Sequence, residues 1–192
     1  MTISNILLKL LNWEAALPKN KPEEVIQRLN IKDGDTVADI GSGGGYFTLE
    51  FSKRVGKNGI VYAVDTKQTY LDYIKNQSKQ EKIENITTVL ITESEISLPE
   101  ESIDIIFLRN VFHHLSEPSN YFNKLKKYLK PNGKIAIIDH KKKKGFSFVY
   151  IFGHYIPEEE ILKEMEKSGY SLAETLYFLP EQSFNIFRKK QS

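Results

Sequence analysis

A glycine-rich turn constrains the fold of this chain more than any other stretch of its sequence. Residues 36–40 are mostly apolar, which predicts a short buried strand, and residues 41–45 follow it with four glycines and one serine. Apolar side chains then recur at every fourth position along one helix face: Phe47, Phe51 and Val55. Strand, glycine turn and helix form the first half of a βαβ unit, which binds nucleotide-like ligands at the carboxyl end of its strand.

The rest of the chain continues this alternation of strands and helices. We predict strands at 36–40, 60–64 (ending at Asp65), 86–91, 103–108, 134–138 (ending at Asp139), 172–178 and 183–187. We predict helices at 22–29, 46–55, 68–77 and 157–168, and a further helix that begins at Pro118, includes Leu129 and closes at the turn 131–133. The alternation indicates an α/β fold with a mostly parallel sheet and right-handed crossovers.

Length and charge narrow the class of protein. At 192 residues the chain fits a single domain over 1–192. Its net charge of +2 gives no reason to expect nucleic acid or an anionic membrane as the main partner. The absence of cysteine excludes thiol catalysis and fits a reducing compartment. Because no apolar run reaches the roughly 18 residues of a membrane span, we expect a cytoplasmic protein.

The N-terminal segment, residues 1–21, is predicted to carry an amphipathic helix or lid outside the core at 22–192. Its apolar stripe consists of Ile3, Ile6, Leu7, Leu10, Leu11 and Trp13. Two interpretations stay open: the stripe docks over the core or roofs the ligand cleft, or the helix lies on a membrane and delivers a lipid-like substrate. Lys9 alone makes a thin basic face, so no stable membrane association is expected.

Two common phosphate-binding motifs do not fit the glycine turn. A dinucleotide fingerprint needs a third glycine where this chain has Tyr46 or, in the alternative frame, Thr48. The phosphate loop of nucleotide hydrolases needs Gly-Lys-Ser/Thr, which the chain lacks. Asp39 and Asp65 remain as acceptors at the two strand ends. The pattern therefore favours a ligand that contains adenosine but no pyrophosphate.

These residues resemble the class I S-adenosylmethionine-dependent methyltransferases, and the likeness extends over roughly residues 22–190. It rests on the stretches 37–45, 61–65, 98–107, 113–115 and 129–134. The resemblance implies a Rossmann-like three-layer sandwich with a seven-stranded sheet in the order 3-2-1-4-5-7-6, the last strand antiparallel. It also implies the cofactor S-adenosyl-L-methionine, which leaves as S-adenosyl-L-homocysteine.

The resemblance assigns roles to residues at the strand ends. Asp65 would accept both ribose hydroxyls or cap the next helix, and Asp39 would lie near the methionine amino group or fix the turn. Glu93, or Thr92 in its place, would contact adenine. Arg109 would lie at the methionine or be a buried structural charge. The expected cofactor residues are Asp39, Gly41, Ser42, Gly43, Gly45, Asp65, Thr66, Thr92, Glu93, Arg109 and Asn110.

For the acceptor side the sequence offers candidates rather than a motif. Methyl transfer requires alignment of the acceptor with the methyl carbon, and it requires a base only when the nucleophile starts protonated. The candidate catalytic residues are His113, His140 and His154. No spacing compels a metal site, so no metal is predicted. Arg109-Asn-Val-Phe112 stands where amide- and adenine-methylating relatives carry Asp/Asn-Pro-Pro-Tyr, which counts against those substrates.

We therefore predict a methyltransferase that acts on a small-molecule acceptor. Residues 140–156 are the expected acceptor-side insertion, and their alternating aromatic residues at 146–152 favour an apolar or aromatic acceptor. The lysines at 141–144 are interpreted as a solvated loop or as a rim that steers an anionic substrate. Alternative functions are a catalytically silent S-adenosylmethionine-binding scaffold or sensor and, less favoured, an NAD-dependent oxidoreductase. The oligomeric state and the nucleophilic atom stay open.

Overall fold

Seven strands pair into one mixed sheet in the computed structural model, which describes residues 3–92, 96–141 and 155–190. The order is β3-β2-β1-β4-β5-β7-β6, and β7 runs antiparallel to both of its neighbours. The strands are β1 (Thr36–Ile40), β2 (Ile60–Asp65), β3 (Ile86–Leu90), β4 (Ile103–Arg109), β5 (Leu129–His140), β6 (Tyr170–Leu176) and β7 (Gln182–Lys189). This order and orientation confirm the predicted fold class.

Helices cover both faces of the sheet and give it three layers. They are α1 (Ile3–Ala15), α2 (Pro22–Leu29), α3 (Tyr46–Val55), α4 (Gln68–Gln80), α5 (Pro118–Leu125) and α6 (Glu158–Lys167). Helices α2 and α3 bury apolar side chains against one face, and α5 and α6 cover the other. Successive residues of β1 feed opposite cores, because strand side chains alternate: Val37 packs with α2 and α3, and Ala38 packs on the other side.

One predicted boundary is wrong. The sequence pattern predicts a helix through Leu129 and a strand from Lys134, but β5 already begins at Leu129, after a three-residue turn. Leu129 pairs with Ile103 of β4, and the ladder is irregular beyond this pair. Tyr128 and Leu129 are both buried, so tertiary pairing outweighs the local helical pattern. The other predicted ends differ from the structure by at most three residues.

Helix α1 docks through a face that its apolar stripe does not include. Five residues of that stripe are 40–63% exposed: Ile6, Leu7, Leu10, Leu11 and Trp13. The buried residues are instead Leu8 and Ala15. The interpretation that the stripe docks over the core is therefore wrong for these five residues, although Leu11 borders the ligand cavity. Within the described ranges, no helix is both long enough and apolar enough to cross a membrane.

Candidate active site

A cavity of about 900 Å³ opens at the carboxyl edge of the sheet, where β1, β2 and β4 end. Its volume lies in the range of roughly 300–1,000 Å³ that is usual for small-molecule sites. Nine of the eleven expected cofactor residues line it: Asp39, Gly41, Ser42, Gly43, Asp65, Thr66, Thr92, Arg109 and Asn110. Glu93 lies outside the described residues. The cavity therefore gathers most of the residues that the motifs single out.

The glycine turn forms part of the cavity wall, and a side chain would not fit at Gly41 or Gly45. Gly41 has a φ of +73°, and a Cβ on it would lie 2.3 Å from Cγ2 of Val111. Gly45 is not among the lining residues, and a Cβ there would lie 2.6 Å from Cγ1 of Ile74 in α4. Gly45 thus serves the packing of the turn against α4.

Asn12 of α1 binds the turn at two points. Its side-chain amide donates to the carbonyl of Gly44 (2.8 Å), and its Oδ1 accepts from the N–H of Tyr46 (3.1 Å). Tyr46 begins α3, so Asn12 caps that helix from a neighbouring element. A Cβ on Gly44 would lie 2.2 Å from Oδ1 of Asn12. The sequence motifs do not predict this contact, although an asparagine between apolar helix positions is a signal that could have indicated it.

The hydroxyl of Ser42 provides a test of whether a polar ligand fits here. It is buried at the cavity wall and has no hydrogen-bond partner among the residues that the structure describes. An unsatisfied buried hydroxyl costs about 1–3 kcal/mol, so it is suited to a polar group of a ligand. Together with the side-chain-free turn, this fits a cofactor that carries a sugar and an amino acid.

Asp65 ends β2 and orders the backbone on both sides of it. Its Oδ2 accepts from the N–H of Gly43 (3.0 Å), and its Oδ1 accepts from the N–H of Lys67 (3.1 Å). Lys67 precedes the first residue of α4, so Asp65 orders the approach to this helix and does not cap its first turn. Each carboxylate oxygen has a second lone pair, so Asp65 keeps acceptor capacity toward the cavity.

Asp39 is buried beneath the glycine turn. Its Oδ2 accepts a hydrogen bond from the hydroxyl of Thr48 (2.5 Å). Burial raises the pKa of Asp39 from 3.8 to about 7; the Thr48 bond opposes this rise, and the carboxylate of Asp65 adds to it. The carboxyl is therefore partly protonated near neutral pH, and a nearby cation would favour its charged form.

Arg109, at the end of β4, reaches across to α1. Its terminal nitrogens donate to the two carboxylate oxygens of Glu14 at 3.1 and 3.3 Å, and its guanidinium carbon lies 5.7 Å from the ring centre of Phe47. The next residue, Asn110, has a φ of +57° and accepts from the side chain of Gln182 (2.7 Å). Both residues thus line the cavity while making structural contacts.

Two of the candidate bases, His113 and His140, lie beside Asp139, and neither is among the residues that line the cavity. Nδ1 of His113 lies 2.7 Å from Oδ1 of buried Asp139, which also accepts from the backbone N–H of His140 (2.8 Å). Burial, followed by the charge of Arg109, lowers the pKa of His140 despite the opposing carboxylate of Asp139. In the described part of the cavity wall, His114 is the histidine present.

Other acceptor-side predictions fall outside the described residues. They concern His154, the lysines at 142–144 and the aromatic positions 146–152. Within the described ranges, no group of three or more His, Cys, Asp or Glu side chains is arranged to hold a metal ion.

Comparison with known proteins agrees with this geometry. Residues 31–181 match a family model described as a methyltransferase domain. The chain is 27% identical over 134 residues to (S)-coclaurine N-methyltransferase of Thalictrum flavum subsp. glaucum, covering 70% of this chain and 35% of that protein. It is 24% identical over 164 residues to the ubiquinone/menaquinone biosynthesis C-methyltransferase UbiE of Hydrogenovibrio crunogenus, covering 82% and 64%. The chain thus spans less than two thirds of either relative.

One solved structure is similar to this chain over nearly the whole length of both proteins. A SAM-dependent methyltransferase from Aquifex aeolicus superposes with a TM-score of 0.84 at 28% identity, covering 95% of this chain and 97% of that one. The family model covers most of the chain, and the sheet order and glycine turn agree with it. The chain therefore belongs to the S-adenosylmethionine-dependent methyltransferases, as its motifs predict.

Proposed function

We propose that the protein transfers the methyl group of S-adenosyl-L-methionine to a small-molecule acceptor that is apolar or aromatic. The observation that carries this proposal is the cavity that the glycine turn, Ser42 and Asp65 line together. In an open α/β sheet, this edge is where ligands bind.

The cofactor residues divide by the part of the cofactor that each would hold. Asp65, with Thr66 beside it, would bind the ribose, and Gly41, Ser42 and Gly43 would meet the sugar and the methionine. Thr92 or Glu93 would contact adenine. Asp39, Arg109 and Asn110 would face the methionine, and Gly45 supports the turn from behind. The bound cofactor supplies a methyl carbon on a positively charged sulfur, which is already activated for displacement.

The chain itself has to align the acceptor and exclude water. Alignment of two reactants can supply roughly 7–11 kcal/mol in favourable cases, so a base is needed only for a protonated nucleophile. Among the proposed bases, His113 is held by the carboxylate of Asp139. A carboxylate at Nδ1 favours the tautomer that carries its proton on Nδ1, which leaves the lone pair on Nε2 to accept a proton. His140 and His154 remain proposals for the same role.

The described wall of the cavity supports an aromatic or apolar acceptor. Aromatic side chains contribute to it from several elements: Tyr46, Phe47, Tyr70, Phe107 and Tyr121. The two curated relatives are named for coclaurine and for ubiquinone and menaquinone biosynthesis, which are both small-molecule roles. These names support a small-molecule acceptor for this chain.

A metabolite screen with methyl-labelled cofactor tests the proposal. The protein is incubated with labelled S-adenosylmethionine and a small-molecule extract, and labelled products are separated by mass. We expect a labelled small molecule that is absent with Asp65→Ala. Binding of S-adenosylhomocysteine without a labelled product from any extract would support the silent scaffold instead. Thermal stabilisation by NAD and not by S-adenosylhomocysteine would support the oxidoreductase.

A further inference from the structure

Helix α1 turns an apolar face outward, on the side opposite the one that docks. Five half-exposed side chains form this exposed apolar face: Ile6, Leu7, Leu10, Leu11 and Trp13. At about 100° per residue, Ile6, Leu10 and Trp13 lie within roughly 60° of one another on the helix circumference. The buried residues Leu8 and Ala15 lie on the opposite side of the helix. The centre of the exposed apolar face therefore points away from the domain.

The polar side chains of α1 do not occupy this outer side. A surface helix normally turns polar and charged residues toward the solvent. Here Asn5, Lys9 and Asn12 fall within about 60° of one another, between the buried side and the exposed apolar face. Lys9 is the one charged residue among residues 3–13, which contain no acidic residue. A contiguous exposed apolar patch of this kind is typical of an interaction surface.

The size of the face argues against a second copy of the chain as its partner. A stable protein–protein interface usually involves about 20–30 residues on each side. The exposed apolar face offers five side chains on a helix of 13 residues, which is about 20 Å long. Contact between two such helices is by itself too small for a stable dimer.

A lipid bilayer matches both the chemistry and the size of the face. Amphipathic helices that lie on a membrane bury leucine and aromatic side chains at the boundary between headgroups and acyl chains, where tryptophan is enriched. Because residues 3–13 contain no acidic side chain, anionic headgroups do not repel this helix. Lys9 adds little attraction, so burial of the apolar side chains provides most of the binding. A helix of 13 residues lies on a bilayer and is too short to cross it.

We propose that α1 binds the surface of a lipid bilayer, with Ile6, Leu10 and Trp13 among the acyl chains. Leu11, at one flank of the exposed apolar face, also lines the cavity, so this orientation brings the cavity wall to the membrane. It suits an apolar acceptor that is dissolved in the bilayer. The membrane contact is independent of the proposed function, whereas this source of the acceptor rests on it.

The chain carries its own probe for this contact, because Trp13 is its single tryptophan. The protein is titrated with vesicles of phosphatidylcholine, alone or mixed with phosphatidylglycerol, and Trp13 emission and co-sedimentation are measured. The face variant combines Ile6→Glu and Leu10→Glu. The matched control, the edge-strand variant, combines Leu90→Glu in β3 with Leu172→Glu in β6; these side chains are 50% and 47% exposed, and the added charge is the same.

We expect vesicles to move the emission of wild-type Trp13 to shorter wavelength and to co-sediment the protein. The face variant should bind vesicles at least about 10-fold more weakly, because it removes two half-exposed apolar side chains from the contact. The edge-strand variant should stay within about twofold of wild type, as expected for substitutions distant from the contact. Added salt should weaken binding only slightly, since apolar burial is screened little.

A wild type that neither shifts its emission nor co-sediments with either vesicle would overturn the inference. An equal loss of binding in the edge-strand variant would overturn it too, because added charge alone would then explain the effect. A dimer in sedimentation equilibrium that is lost in the face variant, without vesicle binding by wild type, would assign the face to a second copy. If the face variant does not fold, Ile6→Ser and Leu10→Ser must each still weaken vesicle binding.

Calorimetry with S-adenosylhomocysteine separates this inference from the proposed function. All variants should bind S-adenosylhomocysteine as wild type does, because none of their substituted residues lines the cavity. A wild type that binds vesicles but not S-adenosylhomocysteine would refute the proposed function alone. One that binds S-adenosylhomocysteine but not vesicles would refute the membrane contact alone.

Discussion

Replacing Asp39 with asparagine tests the electrostatics of the site without any ligand. The substitution keeps the shape of the side chain, and the new Oδ1 can still accept the hydroxyl of Thr48. It removes the ability to ionise. The charges that act on this buried group are the carboxylate of Asp65 at the end of β2 and the guanidinium of Arg109 at the end of β4.

The expected magnitude follows from the pKa of Asp39, which burial raises from 3.8 to about 7. Between these values the folded protein retains a proton that the unfolded chain has released, so stability falls as the pH rises. The contribution of Asp39 to the stability of the folded protein is fully present below about pH 4, and it is lost as the pH rises through about 7. A difference of about 3 pH units corresponds to about 4 kcal/mol in total.

Urea unfolding of the ligand-free protein at pH 5 and pH 8 measures this effect. We expect the free energy of unfolding of Asp39→Asn to rise relative to the wild type by about 2–3 kcal/mol between these two pH values. Asp72→Asn, on the exposed side of α4, is the control for loss of one carboxylate and should show no comparable change. A difference between Asp39→Asn and wild type that is the same at both pH values would refute the reasoning.

Three further predictions concern contacts around the cavity. Gly44→Ala puts a methyl group against Asn12, so we expect a loss of about 1–3 kcal/mol of stability and faster amide hydrogen exchange in α1; unchanged exchange there would contradict the docking. Asp65→Ala should weaken S-adenosylhomocysteine binding by at least about 10-fold in calorimetry, and unaltered binding would show that the ribose lies elsewhere. Asp139→Asn should cost about 1.5–3 kcal/mol in urea unfolding and mix the ring tautomers of His113 in ¹⁵N spectra, whereas a single unchanged tautomer would mean that the carboxylate does not select it.

The cofactor side of the site could be predicted from the sequence because the motifs that define it are short, contiguous stretches of the chain. The strand at 36–40 and the helix at 46–55 agree with the structure to the residue, since buried apolar runs and the glycine turn define their ends. Asp65 is the last residue of β2, so the parallel register brings it to the same edge as the turn. Short segments with clear turn signals at their ends are therefore enough to predict this half of the site.

Contacts between distant segments could not be predicted in the same way. Arg109 and Glu14 are 95 positions apart, and the pair forms only because α1 crosses the carboxyl edge of the sheet. The stripe of α1 indicates an amphipathic helix but not which face docks, and a polar residue, Asn12, makes the decisive contacts. The start of β5 at Leu129 likewise depends on a partner in β4.

The net charge of the cavity lining depends on whether Asp39 is ionised. The described lining contains four carboxyl groups and three cations: Asp39, Asp65, Glu14 and Glu117 against Arg109, Lys67 and Lys124. With Asp39 ionised, this lining carries one net negative charge, which matches the net positive charge of S-adenosylmethionine. With Asp39 protonated, the lining is neutral, as S-adenosylhomocysteine is. Because burial raises the pKa of Asp39 to about 7, we expect bound S-adenosylmethionine to favour the ionised carboxyl more strongly than bound S-adenosylhomocysteine does.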